Sequence, residues 1–415
     1  MFWVAQHRLN HFMYFFYFLA AVSIWFGIQS LLSGFRYAAY IRREASLQLS
    51  DFRPFVSVIA PSRGVEAGLT DNIRALLHQN YPAYEVLFIF DRLQDSAIEV
   101  IETARANERD SPLVVTKTVI AGPATDSGQK VHNLRVATDQ LDARSEVLVF
   151  VDTDARPDTN WLRRLVAPLA SETLGASSGY RWFVPDQGGL ASRLRSVWNA
   201  SVASALGANR EKNFCWGGST AIRRSTFERL NIRDRWQGTV SDDFTLTRVL
   251  HEAKLPIHFT THCLVPSLGS CNLHELLEFT TRQIKITRVY APELWKQILL
   301  GGILFVTVFF GGIALLIFRI ALGLPSGLLV AILIVIFMLG AAKAFIRWRA
   351  ISIPLAKYRN ELRRDLPAHI FLWPFASLLY LYNAIVAAFS RRILWRGISY
   401  QLKSPTEAVI ISRDS

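Results

Sequence analysis

The amino-acid sequence predicts an α/β domain on a mostly parallel sheet, joined to transmembrane and interfacial helices. Three observations predict it. Between about residues 53 and 262, short β-rich runs alternate with longer amphipathic ones. Strongly apolar segments lie before and after that region. Two of the β-rich runs end directly in an aspartate, at Phe90-Asp91 and Val151-Asp152. Ligands of parallel sheets bind beyond the carboxyl ends of the strands, so both carboxylates are expected at one crevice.

The first element is a transmembrane anchor within residues 1–40. Segment 11–35 is apolar and aromatic-rich, longer than the about 20 residues a spanning helix needs. Arg36, Arg42 and Arg43 follow it and only Arg8 precedes it, which places its C-terminal side in the cytoplasm. Its length argues against a cleaved signal peptide. Residues 41–272 form the expected cytoplasmic domain, with strands at PFVSVIA, YEVLFIF, PLVVTKTVI and EVLVFV and helices between them, one leading to Gln79 and one starting at Lys130. Segment 273–297 is amphipathic and carries Arg282, Lys285 and Arg288 among apolar residues, the pattern of a helix lying in the membrane interface.

Region 298–390 is apolar again. Candidate spans at about 298–318 and 325–346 flank a turn at Arg319, Pro325 and Gly327. A third segment, about 368–390, contains Pro374 and Asn383 and has Arg363 and Arg364 before it and Arg391 and Arg392 after it. It either re-enters on one side or crosses as a fourth span. Residues 391–415 read as a basic cytoplasmic tail. The whole is expected to be an integral, multi-pass membrane protein.

Composition agrees with this layout. Apolar residues make up 51% of 415, and 46 Lys+Arg against 33 Asp+Glu give a formal charge of +13. Much of the surplus flanks apolar segments, at Lys343, Arg347, Arg349 and Arg396 besides the arginines named above. No basic stripe interleaves with aromatics in the soluble part, so no nucleic-acid partner is expected. Cys215, Cys263 and Cys271 form neither a Cys-x-x-Cys pair nor a disulfide framework, which suits a reducing compartment. Asn199-Ala200-Ser201 reads as a chance match to a glycosylation acceptor, because on the cytoplasmic side it never meets the machinery.

Asp152-Thr153-Asp154 follows an apolar run, so a strand would end in two carboxylates able to hold Mg²⁺ or Mn²⁺ against diphosphate oxygens. An Asp-x-Asp triplet alone is a weak signal and also suits a turn. Asp91, ending a second strand, and Asp95, four residues on, give it context: each is either a turn residue or a partner for a nucleotide base or ribose. Asp242 and Asp243 precede the amphipathic run FTLTRVLHEA. Asp242 is expected to cap that helix, leaving Asp243 to act as a base toward a hydroxyl. The loop 127–133 with Lys130 is either a phosphate contact or a solvated turn. Cys215-Trp216-Gly217-Gly218-Ser219 allows close backbone approach to a ligand or forms a plain tight turn. Arg282 and Lys285 suit either lipid headgroups or a diphosphate.

This set is similar to the ceramide glucosyltransferases and their bacterial relatives, among the inverting glycosyltransferases of the family 2/21 type. The resemblance covers nearly the whole chain: the anchor, Tyr81-Pro82 with Tyr84-Glu85-Val86-Leu87, Lys130 and Asn133, Asp152, Cys215 with Gly218, Asp242-Asp243, the basic interfacial segment and Trp395-Arg396-Gly397-x-x-Tyr400. It implies a GT-A (Rossmann-like, mostly parallel) fold and transfer of glucose from UDP-glucose, with inversion, to the hydroxyl of a lipid acceptor such as ceramide. It also implies a divalent metal at Asp152 and Asp154, a nucleotide-binding Asp91 or Asp95, and Asp243 as base. Lys130, Asp152, Gly218, Asp242, Arg282 and Lys285 are then expected to contact substrate. Two motifs depart from the family pattern. Arg282-Gln283-Ile284-Lys285-Ile286 stands where the family has Arg-x-x-Arg-Trp, and Asp-Asp stands for Glu-Asp. A processive polysaccharide synthase, a polyprenyl-phosphate sugar transferase and a non-enzymatic membrane scaffold are the rival readings.

Overall fold

The computed structural model describes residues 2–66, 68–106, 114–185 and 189–413. The four strands that the apolar runs predict are β1 (Val56–Pro61), β2 (Tyr84–Phe90), β3 (Val114–Ile120) and β4 (Val147–Val151), all parallel to one another. Three more complete the sheet: β5 (Ala176–Val184), β6 (Ser219–Arg223) and β7 (Ile257–Leu268). Their order is β3-β2-β1-β4-β6-β5-β7, and β6 alone runs against its neighbours.

The central runs lack polar alternation because both faces are covered. Val147, Val149 and Val151 pack with Leu69, Ile73, Ile101 and Trp161 on one side. Leu148 and Phe150 pack with Val131, Leu134, Trp236 and Leu246 on the other. Burying the inner strands on both faces fixes their register, and with it the point where β4 delivers Asp152.

The N-terminal helix spans Phe2–Ala45, and its stretch Met13–Ala45 is long and apolar enough to cross a membrane. Its last turns are part of the sheet domain. Tyr37, Ala38, Tyr40 and Ile41 are buried with Trp182 and Phe259, the Tyr40 hydroxyl donates to the Phe259 carbonyl at 2.7 Å, and Glu44 lies 3.1 Å from His258. Two further candidate spans, Pro292–Ala321 and Gly327–Ile351, follow the amphipathic helix Leu273–Tyr290, the segment expected to lie in the interface and called the interfacial helix below. Arg319 Nε closes the turn between them on the Pro325 carbonyl at 3.2 Å. The third apolar segment is a pair of helices, Ala356–Phe371 and Trp373–Phe389, bent by 69°.

The stretch expected as a basic tail is built rather differently. β8 (Arg392–Trp395), β9 (Ile398–Ser404) and β10 (Glu407–Arg413) form an antiparallel sheet. Arg396 and Gly397, with φ of 52° and 72°, make the two-residue turn between β8 and β9, the geometry whose twist matches a hairpin. Its apolar face, with Ile393, Ile398, Tyr400 and Leu402, packs on Ile286 and Val289 of the interfacial helix and on Val240.

Candidate active site

β4 ends where Asp152 meets two cations. Lys130 Nζ lies 2.7 Å from Asp152 Oδ1, and Arg181 Nη2 lies 3.1 Å from Oδ2. Arg181 Nη1 reaches Asp154 Oδ2 at 3.2 Å, while Lys130 Nζ also sits 3.3 Å from Asp242 Oδ1. Burial pushes the Lys130 pKa down, but Asp152 and Asp242 outweigh it and raise it, so the ammonium is charged. Burial pushes Asp152 up, Lys130 and Arg181 pull harder, and the net shift is downward. Asp242 is pushed up to about 6 by burial, against the pull of Lys130 and with Asp243 and Asp152 adding repulsion.

Glycine is required beside this cluster. A Cβ at Gly218 would stand 2.7 Å from Asp152 Oδ2 and inside the Trp216 ring, and one at Gly217 would collide with the Asp242 carboxylate. The Cys215–Ser219 turn therefore sets the floor of the acidic cluster.

The helix Asp242–Glu252 corrects one expectation. Its N-cap is Ser241, whose hydroxyl accepts from the Phe244 N–H, so Asp242 is its first residue and not its cap. A serine one position earlier competes for the same orphan amide, which frees Asp242 to face Lys130. Asp243 is half-buried. Its Oδ1 accepts from the Ser241 hydroxyl and from the Phe244 N–H, and among the described residues no hydrogen bond engages Oδ2.

Lys130, Asp152, Asp154, Asp242, Asp243 and Arg282 line one cavity of about 2190 Å³. Asp91, Asp95 and Lys285 do not. Asp95 accepts from the N–H groups of Gly64 and Ala97, at 3.0 and 2.9 Å, and so pins the loop after β1 to the start of the next helix. Asp91 is buried against Arg63, 3.4 Å away, with Oδ1 unpaired. Lys285 donates to the Arg392 carbonyl at 2.7 Å and lines a separate small groove. The interfacial helix turns it toward β8, whereas Arg282, one turn earlier, faces the cavity between Phe279 and Trp395, with Glu278 3.5 Å away. Burial lowers the Arg282 pKa to about 10, which leaves it charged at neutral pH.

The loop before Lys130 is not a free anion cradle. The Gly128 N–H donates to Thr239 and the Gln129 N–H to the Tyr400 hydroxyl, at 2.8 and 3.1 Å.

Three residues at the site were given no site role by the sequence, and a fourth, Tyr400, entered only as part of the family-like tail. Arg181 bridges both acids and lies 4.9 Å from the Trp216 ring. The signal for it was present: a lone cation in the otherwise apolar and small run ASSGYRWFV. Asn199, 2% exposed, donates to the Arg181 carbonyl at 3.1 Å. Glu66 meets Arg396 of the hairpin at 2.5 Å, and Tyr400 holds Gln129. These arise from folding of distant segments and have no local pattern.

Asp152 and Asp154 offer two hard oxygen donors, and among the described residues no group of three or more His, Cys, Asp and Glu side chains gathers to enclose a metal. That set fits a cation shared with substrate phosphates and water, the usual arrangement for Mg²⁺. Arg181, which contacts both carboxylates, marks the pair as able to take one shared positive centre.

The comparisons bear on the chain as a whole. Ceramide glucosyltransferase 1 of Caenorhabditis elegans is 23% identical over 247 residues, 58% of this chain and 51% of its own length. Ceramide glucosyltransferase 3 of the same organism is 21% identical over 250 residues, 58% of this chain and 52% of its own. The chain thus spans about half the length of the curated relatives it matches. Among solved structures, the mannosyltransferase PcManGT from Pyrobaculum calidifontis, in complex with GDP-Man and Mn²⁺, matches at a TM-score of 0.47 and 18% identity, over 89% of this chain and 99% of that one. The model of glycosyl transferase family 21 matches residues 15–408, nearly the full length, and the chain belongs to that family.

Proposed function

We propose that this protein is a membrane glycosyltransferase that moves a sugar, glucose from UDP-glucose, with inversion onto the hydroxyl of a lipid acceptor such as ceramide. One observation carries the reading: the cavity is continuous. Its polar end holds Lys130, Asp152, Asp154, Asp242 and Asp243, and its other wall is Leu300, Phe305, Leu339 and Gly340 of the membrane helices. A water-soluble donor and an apolar acceptor can therefore meet in one space.

In this reading Asp243 Oδ2 takes the acceptor proton as the acceptor oxygen attacks the anomeric carbon. The bond from that carbon to the diphosphate breaks on the opposite face, and its electron pair leaves with UDP. Lys130 and Arg282 hold the growing phosphate charge, and Asp242 keeps the Lys130 ammonium in place. Mg²⁺ or Mn²⁺, when bound at Asp152 and Asp154, supplies further positive charge to the leaving group. The arginines flanking the apolar segments support a catalytic domain on the cytoplasmic face.

UDP release by the purified chain in nanodiscs, with and without added ceramide, tests the assignment. Ceramide-dependent release with glucosylceramide in the lipid extract is expected. Release that no lipid stimulates would sink the lipid-acceptor reading.

A further inference from the structure

The membrane side of the cavity contains a charge with no counter-charge. Arg347, 4% exposed, lines the cavity from the helix Gly327–Ile351. Among the described residues its guanidinium makes no hydrogen bond or ion pair, and its Nε is buried without a partner. The ionisable groups facing it are the phenols of Tyr37 and Tyr380 and the imidazole of His369. None is a carboxylate, and none of the acids at the catalytic end is among them. One turn away on the same helix, Lys343 also lines the cavity, with its Nζ 2.7 Å from the Ser30 hydroxyl.

An uncompensated cation in a membrane-spanning helix is costly and marks a ligand or ion site. Tyr37 Oη and His369 Nδ1 beside Arg347 are also unpaired and able to accept, but neither carries a negative charge to offset the guanidinium. Trp198 Nε1 and Trp373 Nε1, both on cavity-lining side chains, are buried donors without acceptors. Trp198 stacks on Tyr380 at 4.7 Å, and Trp373 packs against Gly340, one turn before Lys343. A wall with spare indole donors, a guanidinium and an ammonium, and no carboxylate among the groups facing Arg347, fits an acceptor-rich, negatively charged ligand. Depth narrows the source. Arg347 and Lys343 lie four and eight residues before the end of their helix, roughly 6 and 12 Å of rise, near the end of a candidate span, where a lipid headgroup is the nearest source of anionic charge.

We propose that Arg347 and Lys343 form a subsite for the phosphate or carboxylate of an anionic lipid, apart from the hydroxyl that reacts at Asp243. This rests on the lipid-acceptor reading only for the lipid's role as acceptor; the binding itself stands alone.

The test is lipid retention by native mass spectrometry of the detergent-purified full chain. Phosphatidylglycerol is expected to be retained at least tenfold better than phosphatidylcholine. Arg347→Gln and Lys343→Gln should each reduce that preference severalfold, and Arg347→Lys should keep most of it. UDP-glucose affinity should be unchanged in all three. Lys343→Gln alone serves if the Arg347 variants fail to fold, since Lys343 is only half-buried. Equal retention of the two lipids, or a preference unmoved by the substitutions, overturns the proposal. So does a loss confined to UDP-glucose affinity, which would assign the cations to the donor, or stabilisation by inorganic phosphate equal to that by phosphatidylglycerol. If phosphatidylglycerol is retained through Arg347 while no lipid stimulates UDP release, the subsite stands and the acceptor reading falls. If ceramide is glucosylated while no anionic lipid is preferred, the reverse holds.

Discussion

Asp242 and Asp243 are adjacent yet differ in what holds them. Asp242 is buried beside Lys130, whereas Asp243 keeps one oxygen unbonded at the cavity wall. If Asp243 is the base, Asp243→Asn should lower transfer by at least about 100-fold, the usual scale for losing a general base. UDP-glucose affinity, measured by calorimetry, should be kept. Near wild-type turnover would remove it from that role. Arg181 makes a second prediction at this scale. Arg181→Gln leaves Asp152 and Asp154 facing each other across a half-buried site, at a cost of about 2 kcal/mol, less than a fully buried pair because Asp154 still meets solvent. Tm should fall without metal and recover with Mn²⁺, and a Tm that ignores Mn²⁺ would refute metal binding at this pair. The acidic residues were legible because strand ends and helix starts announce them. Glu66 was not, because its partner Arg396 comes from a distant segment, and Arg181 showed only as a lone cation in a strand, its partner Asp154 lying 27 residues earlier in the chain.

Among the elements, the C-terminal hairpin was the one furthest from its sequence reading. Its strands β8–β10 are short and rich in charge, so composition suggested a tail. Only the interfacial helix and Val240 give its apolar face something to bury against, which no local pattern reveals. The helix Leu273–Tyr290, in contrast, was legible from its amphipathic period, and its Asn272–Glu275 capping box fixes the start. The hairpin has a functional reach, since Tyr400 holds the amide of Gln129 beside Lys130. Removing that hydroxyl with Tyr400→Phe costs about 1 kcal/mol, roughly fivefold in an equilibrium. A rise of that order in the donor KM is expected, with kcat little changed. An unaltered KM would mean that the hairpin does not steady the lysine.

For the whole molecule, the fold class followed from alternation and apolar runs, while the path of the bent helix pair did not. Charge flanked it on both sides, and hydropathy alone fitted both a crossing and a return. Packing supplies the missing constraint. Ile351, at the end of one candidate span, is buried with Tyr37, Ile41 and Trp182 of the sheet domain. Beyond the bent pair, the hairpin also lies on that domain, with Arg413 donating to the carboxamide oxygen of Gln129 at 3.2 Å. A segment that leaves and rejoins the same side crosses an even number of times, so we propose that the single pair bent by 69° re-enters rather than spans. Labelling with a membrane-impermeant maleimide checks this in sealed vesicles. Leu47→Cys and Val409→Cys, both exposed, should react from the same side, and Leu322→Cys, in the turn between the two C-terminal spans, from the other. Cys215, Cys263 and Cys271 are buried and give little background. Opposite labelling of positions 47 and 409 would make the pair a fourth span and would require the hairpin to leave the catalytic domain.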